Sequence, residues 1–475
     1  MGKTYDVRIW SVRQRKDRGQ SSAELRWKTG GTPHSQTFRT KTLAEGRRAE
    51  LLRAAHAGEP FDESTGVPVS ELRKRNDVSW YQHAREYIEM KWQHSPGSTR
   101  RTLAEAMATV TPALVTSTKG MADAKTVRTA LYSWAFNMSR RDRELPDDVA
   151  AVLAWFERKS LPTSALADRM HVRTALDSLT KKLDGTTASA STIRRKRAIF
   201  HNSLGYAVDA GRLADNPLPQ VQWKAPEQVA EELDPASVPD PRQALALLDA
   251  VRTQSPRGRR LVAFFGCMYY AAARPAEVIG LRIQDCDLPR RGWGMLRLRE
   301  TRPRSGAAWT DSGEAHDRRG LKHRPRKAIR TVPIPPDLVN LLRWHITAYG
   351  MAPDGRLFRT QRGGLIQDTG YGEVWAEART RALTPTQYAS SLAKRPYDLR
   401  HAAVSTWLSS GVEPQEVAAR AGHSVAVLFR VYAKCLHGGA ATANARIEQA
   451  LRNRDQGAGG APHPPHTDWS APESG

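Results

Sequence analysis

The chain has 475 residues, 40% of them hydrophobic, and a formal net charge of +24. That length calls for two or three domains, and the apolar content is enough to build real cores. The charge favours a polyanionic partner, nucleic acid first, while the lack of a long apolar run or a lipidation signal argues against a membrane protein. The opening Met1-Gly-Lys-Thr-Tyr-Asp6 lacks the apolar core of a signal peptide, so a cytoplasmic protein is expected. Cys267, Cys286 and Cys435 are scattered, with neither zinc spacing nor a disulfide framework, and reduced thiols are expected.

Residues 1–58 read as three strands and a helix. Tyr5, Val7, Ile9 and Ser11 alternate with Asp6, Arg8, Trp10 and Val12; Ala23–Lys28 and Ser35–Thr40 follow, separated by a turn at Thr29–Pro33. The helix spans Leu43 to Ala57, with Thr42 as N-cap and Gly58 as stop. Arg8, Arg13, Arg15, Arg26, Lys28, Arg39 and Lys41 make this module basic. A solvated face is the plain reading; a sheet placed in a DNA groove is the sharper one, with Arg26, Lys28 and Arg39 as contacts.

Residues 59–77, with Pro60, Gly66, Pro68 and Arg73-Lys-Arg75, read as a linker. Residues 78–225 read as helical. Trp80, Ala84, Tyr87 and Ile88 mark one amphipathic helix; Leu131, Trp134 and Ala135 mark another; Val152, Leu153 and Phe156 a third. A further helix opens at Ser191, its apolar stripe Ile193, Phe200, Leu204 and Ala207, its first turns crowded by Arg194, Arg195, Lys196 and Arg197. Those four suit contacts to a phosphate backbone, although a solvated helix end has the same composition. A second linker, 226–241, precedes a mixed domain over 242–452, and 453–475 is Gly/Pro-rich and expected to be disordered. The fold class is therefore α+β and multidomain: a small sheet with a helix, a helical domain, and a mainly α domain with a small antiparallel sheet.

In the last domain Leu261, Phe264, Phe265, Met268 and Tyr269 form a helical face that halts before Arg274-Pro275. Glu277, one turn on, can hold the Arg274 guanidinium. Gly292–Glu300 reads as a strand, and Leu321–Pro333 as a hairpin with Pro325 in its turn and Lys322 and Lys327 as candidate proton donors. Arg400 opens the apolar stripe Ala403, Val404, Trp407 and Leu408. A buried guanidinium there requires a fixed anion, with Asp398 or Glu277 as the plain internal partner. His401 reads as a core histidine. Glu413–Gly422 is a helix with Pro414 near its start and Gly422 at its stop; Ser424 caps the next, on which Leu428, Phe429, Tyr432 and Leu436 share a face.

Each of these residues has an ordinary structural reading when taken alone. The ordered set Arg274, a hairpin Lys, Arg400, His423 and Tyr432 resembles the tyrosine recombinase, or phage-type integrase, family. The matching stretches are Ala272-Ala-Arg-Pro-Ala-Glu-Val-Ile-Gly-Leu281, Lys322 with Arg330–Ile334, Tyr397-Asp-Leu-Arg-His401, Ala421-Gly-His-Ser424 and Val431-Tyr-Ala-Lys434. The helix from Ser191 through Asn216-Pro-Leu218 resembles the end of the family's core-binding domain, and residues 1–58 its arm-type DNA-binding domain. One position departs: the family's second box begins with His, where this chain has Tyr397. A phenol can donate to a phosphate oxygen but cannot act as an imidazole base.

The resemblance implies a site-specific recombinase that cuts and rejoins double-stranded DNA through a 3′-phosphotyrosine, integrating or excising a mobile element. It implies Tyr432 as nucleophile, Arg274, Arg400 and His423 on the phosphate, Lys322 as acid on the 5′ oxygen, and Tyr397 beside them. It also implies a homotetramer on core and arm sites, with a directionality or host DNA-bending factor as accessory. Neither metal nor other cofactor is expected. The segment Ala440–Leu451, with Ala443, Ile447, Ala450 and Leu451 at helical spacing, reads as a helix docked on a neighbouring subunit or on its own domain. Two other readings compete: a type IB topoisomerase-like nicking-closing enzyme, and a DNA-binding protein that has lost catalysis, for which Tyr397 is the sequence hint.

Overall fold

The computed structural model describes residues 2–17, 20–224, 233–321, 325, 328–432, 444–445, 447–449 and 451. Two compact units are present: residues 1–228 with 305–315, and residues 229–304 with 316–475. The architecture is α+β, with small antiparallel sheets among many helices.

The first unit begins with β1 (Lys3–Thr4), β2 (Val7–Ile9), β3 (Arg13–Asp17), β4 (Gln20–Thr29) and β5 (Thr32–Phe38). β4 is the spine. β5 pairs along one edge; β2 and β3 pair in succession along the other, so the first strand, read over Tyr5–Val12, is confined to Val7–Ile9 and a further strand follows from Arg13. The hairpin between β4 and β5 turns on Gly30 and Gly31 at φ 53° and 101°, the left-handed pair that a two-residue turn requires. Helix α1 (Lys41–His56) covers the sheet with Ala44 and Leu51; its N-cap is Thr40, whose hydroxyl accepts from Leu43 N at 3.3 Å, and not Thr42.

Residues 59–77 do not form an open linker. They contain β6 (Phe61–Asp62), paired with β1, and α2 (Val69–Asn76). Phe61 joins Leu25, Trp27 and Leu51 in a small core, and the Trp27 indole donates to Gly66 O at 2.6 Å. The Pro, Gly and charge signals there mask three apolar residues, Phe61, Val67 and Val69, all of them buried.

Then come α3 (Trp80–Trp92), α4 (Gly97–Val110), α5 (Ala124–Arg128), running on into a π-helical stretch Thr129–Ala135, α6 (Asp147–Lys159), α7 (Arg169–Ser178) and α8 (Ala190–Asp209). Trp80, Tyr81, Tyr87, Phe136, Phe156 and Phe200 fill their common core. Helix α8 starts two residues earlier than read, because Ser189, not Ser191, supplies the cap to Thr192 N. The segment 305–315 belongs to this unit. Trp309 lies among Trp92 and Tyr132, and Asp311 pairs with the buried Arg100 at 2.6 Å.

The second unit contains α9 (Pro241–Arg252), α10 (Pro256–Tyr270), α11 (Pro275–Gly280), the antiparallel sheet β7 (Cys286–Asp287), β8 (Gly294–Leu298) and β9 (Arg330–Ile334), then α12 (Pro336–Tyr349), α13 (Asp368–Ala382), α14 (Pro385–Ala389), α15 (Asp398–Ser409), α16 (Pro414–Ala421) and α17 (Val425–Tyr432). Its central helix is α10, buried on Leu261, Phe264, Phe265 and Met268 as the periodicity requires. A second, smaller core of Ala272, Ala403, Val404, Leu408, Val417, Ala418, Ala421, Leu428 and Tyr432 underlies the ends of α10, α15, α16 and α17. The face read on α17 is narrower than expected, since Phe429 is exposed. Residues 444–445, 447–449 and 451 are helical and exposed; Ala443, Ala450 and all of the 453–475 tail lie outside the described residues.

Candidate active site

Chain reversals bring the site together. After α10 the backbone turns through Ala272, a buried non-glycine residue at φ 45°. Such a conformation persists only where its surroundings hold it. Here the Ala272 carbonyl accepts from Arg400 Nη1. Two residues later Arg274 caps α11, and Glu277 reaches back to its backbone N–H at 2.7 Å and its Nη1 at 2.9 Å. Helix α16 ends at Gly422, left-handed at φ 68°, where an added Cβ would collide with the Arg330 guanidinium. That close approach lets Arg330 Nη1 donate to Ala421 O at 2.7 Å and Arg274 Nη2 to Gly422 O at 3.1 Å.

Arg400 is wholly buried. It donates to the carbonyls of Ala272 and Ala421 and, through Nη2, to His423 Nε2 at 2.7 Å. Neither carboxylate expected of an internal scaffold is its hydrogen-bond partner. Asp398 is taken by Arg395, at 2.8 Å from its backbone and 3.0 Å from its guanidinium, and Glu277 by Arg274 and Arg330. Tyr397 lies under Arg400, 5.9 Å from guanidinium to ring centre, and close enough to Arg274 to favour that residue's charge.

The electrostatics are unbalanced. In this group three guanidiniums, Arg274, Arg330 and Arg400, face one buried carboxylate, Glu277. Although burial opposes its charge, the three arginines hold the Glu277 carboxyl below its ordinary range. Burial and the neighbouring Arg400 and Arg274 push Arg330 down to about 10, so it stays charged at neutral pH. His423 is pushed down to about 3, by burial first and then by Arg400, Arg274, Arg330 and His401, and is a neutral imidazole. Because its Nε2 accepts from Arg400, its proton sits on Nδ1. That nitrogen is buried without a hydrogen-bond partner among the described residues, as are Nε of Arg400 and Nε of Arg330. Buried N–H groups are rarely left unpaired. Three of them beside uncompensated positive charge suit an incoming anion with several acceptor oxygens, such as a phosphodiester.

Tyr432, at the end of α17, is also wholly buried. Its ring lies 6.2 Å from that of His423. Its hydroxyl is 2.8 Å from Nδ1 of His401. Burial, then Arg400 and Arg395, push His401 down to about 4, so it too is neutral.

Of the residues read from the sequence, Arg274, Arg400, His423, Tyr432 and Tyr397 come together. Lys322 and Lys327 lie outside the described residues. Two members were missed. His401 was read as a core histidine because helical spacing gives a direction, not a partner. The sequence reads Arg330 only as part of a strand; its signal is a guanidinium at an inward position of β9, on the same face as the buried Val332 and Ile334. In the first unit Arg194 and Arg195 are exposed, but Lys196 is not. It is buried against Glu105 at 3.2 Å and Thr109 at 3.1 Å, so it is a core ion pair and not a surface contact. Arg197 is half-buried. Arg26, Lys28 and Arg39 are exposed, and Lys28 is directly opposite Arg8 across β2 and β4.

No protein-family model matches the chain. In sequence it is similar to a tyrosine recombinase XerC-like protein of Caldanaerobacter subterraneus subsp. tengcongensis, 23% identical over 263 residues, 51% of this chain and 62% of that protein. The chain thus spans less than two thirds of that relative's length. It is also similar to the tyrosine recombinase XerC of Halalkalibacterium halodurans, 24% identical over 286 residues, 58% of this chain and 81% of that protein. Among solved structures, a Tn1549 transposon integrase in complex with a circular intermediate DNA aligns with 66% of this chain and 96% of its own, at 15% identity and a TM-score of 0.46. A lambda integrase dimer bound to a core site aligns with 87% and 93%, at 11% identity and a TM-score of 0.45. The two sequence relatives share one description, and the chain is similar to these tyrosine recombinases in sequence as well as in its ordered boxes.

Proposed function

We propose that the chain is a site-specific DNA recombinase, an integrase of a mobile element, that cuts and rejoins double-stranded DNA through a 3′-phosphotyrosine. The carrying observation is the surplus of buried positive charge and unpaired N–H donors next to a buried tyrosine hydroxyl. A phosphodiester brings the missing negative charge and acceptors, and Arg274, with its side chain 23% exposed, is the group at which it enters.

Tyr432 Oη attacks phosphorus. A phenol with a reference pKa of ~10 must lose its proton as it does so. Arg274 and Arg400 fork onto the non-bridging oxygens, His423 donates through Nδ1, and the negative charge of the pentacoordinate state is met by groups already in place. Arg330 does not need to touch the DNA; it holds Glu277 and the Ala421–Gly422 turn that carries His423. Lys322 protonates the 5′ oxygen as the P–O5′ bond breaks. The phosphodiester energy stays in the tyrosine ester, so a new 5′ hydroxyl can reverse the step.

Four such sites acting on two duplexes make the working form a homotetramer, with an accessory directionality or DNA-bending protein as a further partner. Cytoplasmic residence at the nucleoid follows from that substrate; among the described residues no helix is long and apolar enough to cross a membrane. Residues 1–58 supply the arm contacts. Like charges directly opposed on a sheet, as Arg8 and Lys28 are, destabilise it unless an anion lies over them. The double change Arg26→Ala, Lys28→Ala is expected to weaken duplex binding and to flatten the dependence of log K on log salt by about 0.9 per contact removed, measured by anisotropy over a salt series. An unchanged slope would remove this face from the interface.

The reading is tested with nicked duplexes covering the DNA that flanks the gene, in which cleavage releases a short strand and traps the intermediate. The unaltered chain should form a covalent protein–DNA adduct on its core site, and Tyr432→Phe should form none. A chain that binds such sites but traps no adduct would be the degenerate DNA-binding protein instead.

A further inference from the structure

We infer that His401 is the group that takes the proton from Tyr432, with Nδ1 as the unprotonated ring nitrogen. The inference rests on the recombinase reading and assigns a step in it that the family's second box leaves open here, where Tyr397 stands in place of an imidazole. Three observations carry it. His401 Nδ1 lies 2.8 Å from Tyr432 Oη, a hydrogen-bond distance. The other imidazole near the phenol, His423, has its Nε2 occupied by Arg400, so it is a donor toward the remaining space and not an acceptor. Tyr397 is packed edge-on to the His401 ring, with centroids 5.1 Å apart, and so orients the imidazole.

The groups facing His401 are Arg400 on its own helix, Arg395 just before that helix, Tyr397, and Tyr432 and His423 across from it. Burial first, then Arg400 and Arg395, keep the ring neutral, which preserves the acceptor. A bound phosphate offsets those positive charges and raises the basicity of the ring as the reaction begins. As the Oη–P bond forms, the phenolic proton passes to Nδ1, and the P–O5′ electron pair leaves with the 5′ oxygen, which is protonated by a separate acid. On rejoining, the imidazolium returns the proton to the departing Tyr432 oxygen. His401 is therefore a catalytic residue, touching the reacting atom in both directions.

The test uses the full chain and two versions of the nicked core duplex, one with the natural 5′ oxygen at the scissile phosphate and one with a bridging 5′ sulfur, which leaves without a proton. His401→Asn places an amide near the Nδ1 position but cannot accept a proton; His401→Ala removes the contact, and melting curves check that both are folded. The expected result is a loss of about a hundredfold in the adduct-forming rate at pH 7 for either variant, equal on the two substrates, and shrinking as the pH approaches 10 and phenolate forms unaided. A loss of the same size at every pH would make His401 a packing residue and overturn the inference. Rescue by the sulfur substrate would overturn it in favour of an acid on the leaving group, and a similar pH-dependent loss in Tyr397→Phe, with His401→Asn unimpaired, in favour of position 397. Each of those outcomes leaves the recombinase reading intact; a failure of the unaltered chain to form an adduct on either substrate would overturn both.

Discussion

Arg400→Lys should lower the rate of covalent adduct formation by about a thousandfold while the chain stays folded. Lysine keeps the charge but not the fork. The guanidinium of Arg400 makes three contacts, to Ala272 O, Ala421 O and His423 Nε2, and so ties its own helix to two other turns. An ammonium on a shorter reach cannot hold all three and still present a donor to phosphate. The loss combines a missing contact to the non-bridging oxygen with a His423 free to turn. Single-turnover rates on the nicked core duplex measure the effect, and a melting curve taken alongside should show a smaller change, about 1–3 kcal/mol for carbonyls left without donors. A rate within tenfold of the unaltered chain would mean that Arg400 is scaffold alone.

The second large effect is on stability. Glu277 is buried between Arg274 and Arg330 and is the only carboxylate hydrogen-bonded to either among the described residues. Glu277→Gln leaves the two guanidiniums without their counter-charge and should destabilise the second unit by about 3–5 kcal/mol, a fall on the order of 10 °C in its melting temperature. The pH dependence follows from the sign of the shift. The Glu277 carboxyl is held below its ordinary value of 4.5, so the contribution it makes is complete above that value and is lost as the pH falls through the depressed one. The gap between the unaltered chain and Glu277→Gln should therefore be widest at neutral pH and close in acid. Inorganic sulfate, an anion that can occupy the arginine cluster, should recover part of the lost stability. A melting temperature unchanged at pH 7 would show that the buried pair does not hold the cluster.

The site was largely legible in the sequence where a residue's role is set by local chemistry. Pro275 and Pro414 open helices, Gly422 stops one in a left-handed turn, and these punctuation marks place Arg274 and His423 at chain reversals. Periodicity located Arg400 and Tyr432 on buried faces. What could not be read was direction. His401 follows Arg400 by one residue, a step of about 100° around a helix, and nothing local says that another helix places a hydroxyl there. Arg330 was hidden for a similar reason, since its partners Glu277 and Ala421 are 53 and 91 residues away. In the first unit the same limit worked in reverse. The run Arg194–Arg197 is uniformly basic in sequence, yet helical geometry turns Lys196 inward to Glu105 and leaves Arg194 and Arg195 outside. The linker reading of 59–77 weighted Pro and Gly above Phe61, whose burial against Trp27 decides the fold there.

The proposed nucleophile toward a DNA phosphate is the buried Tyr432 hydroxyl, beside Arg400 and two neutral imidazoles. The most direct measurement is the chemistry of the trapped adduct: nuclease and protease digestion of the complex formed on a nicked core duplex, followed by mass spectrometry of the remaining peptide–nucleotide. A single linkage is expected, Tyr432 joined to a 3′ phosphate, with a free 5′ hydroxyl on the released strand. A linkage to any other residue, or a 5′ phosphate on the protein, would contradict it.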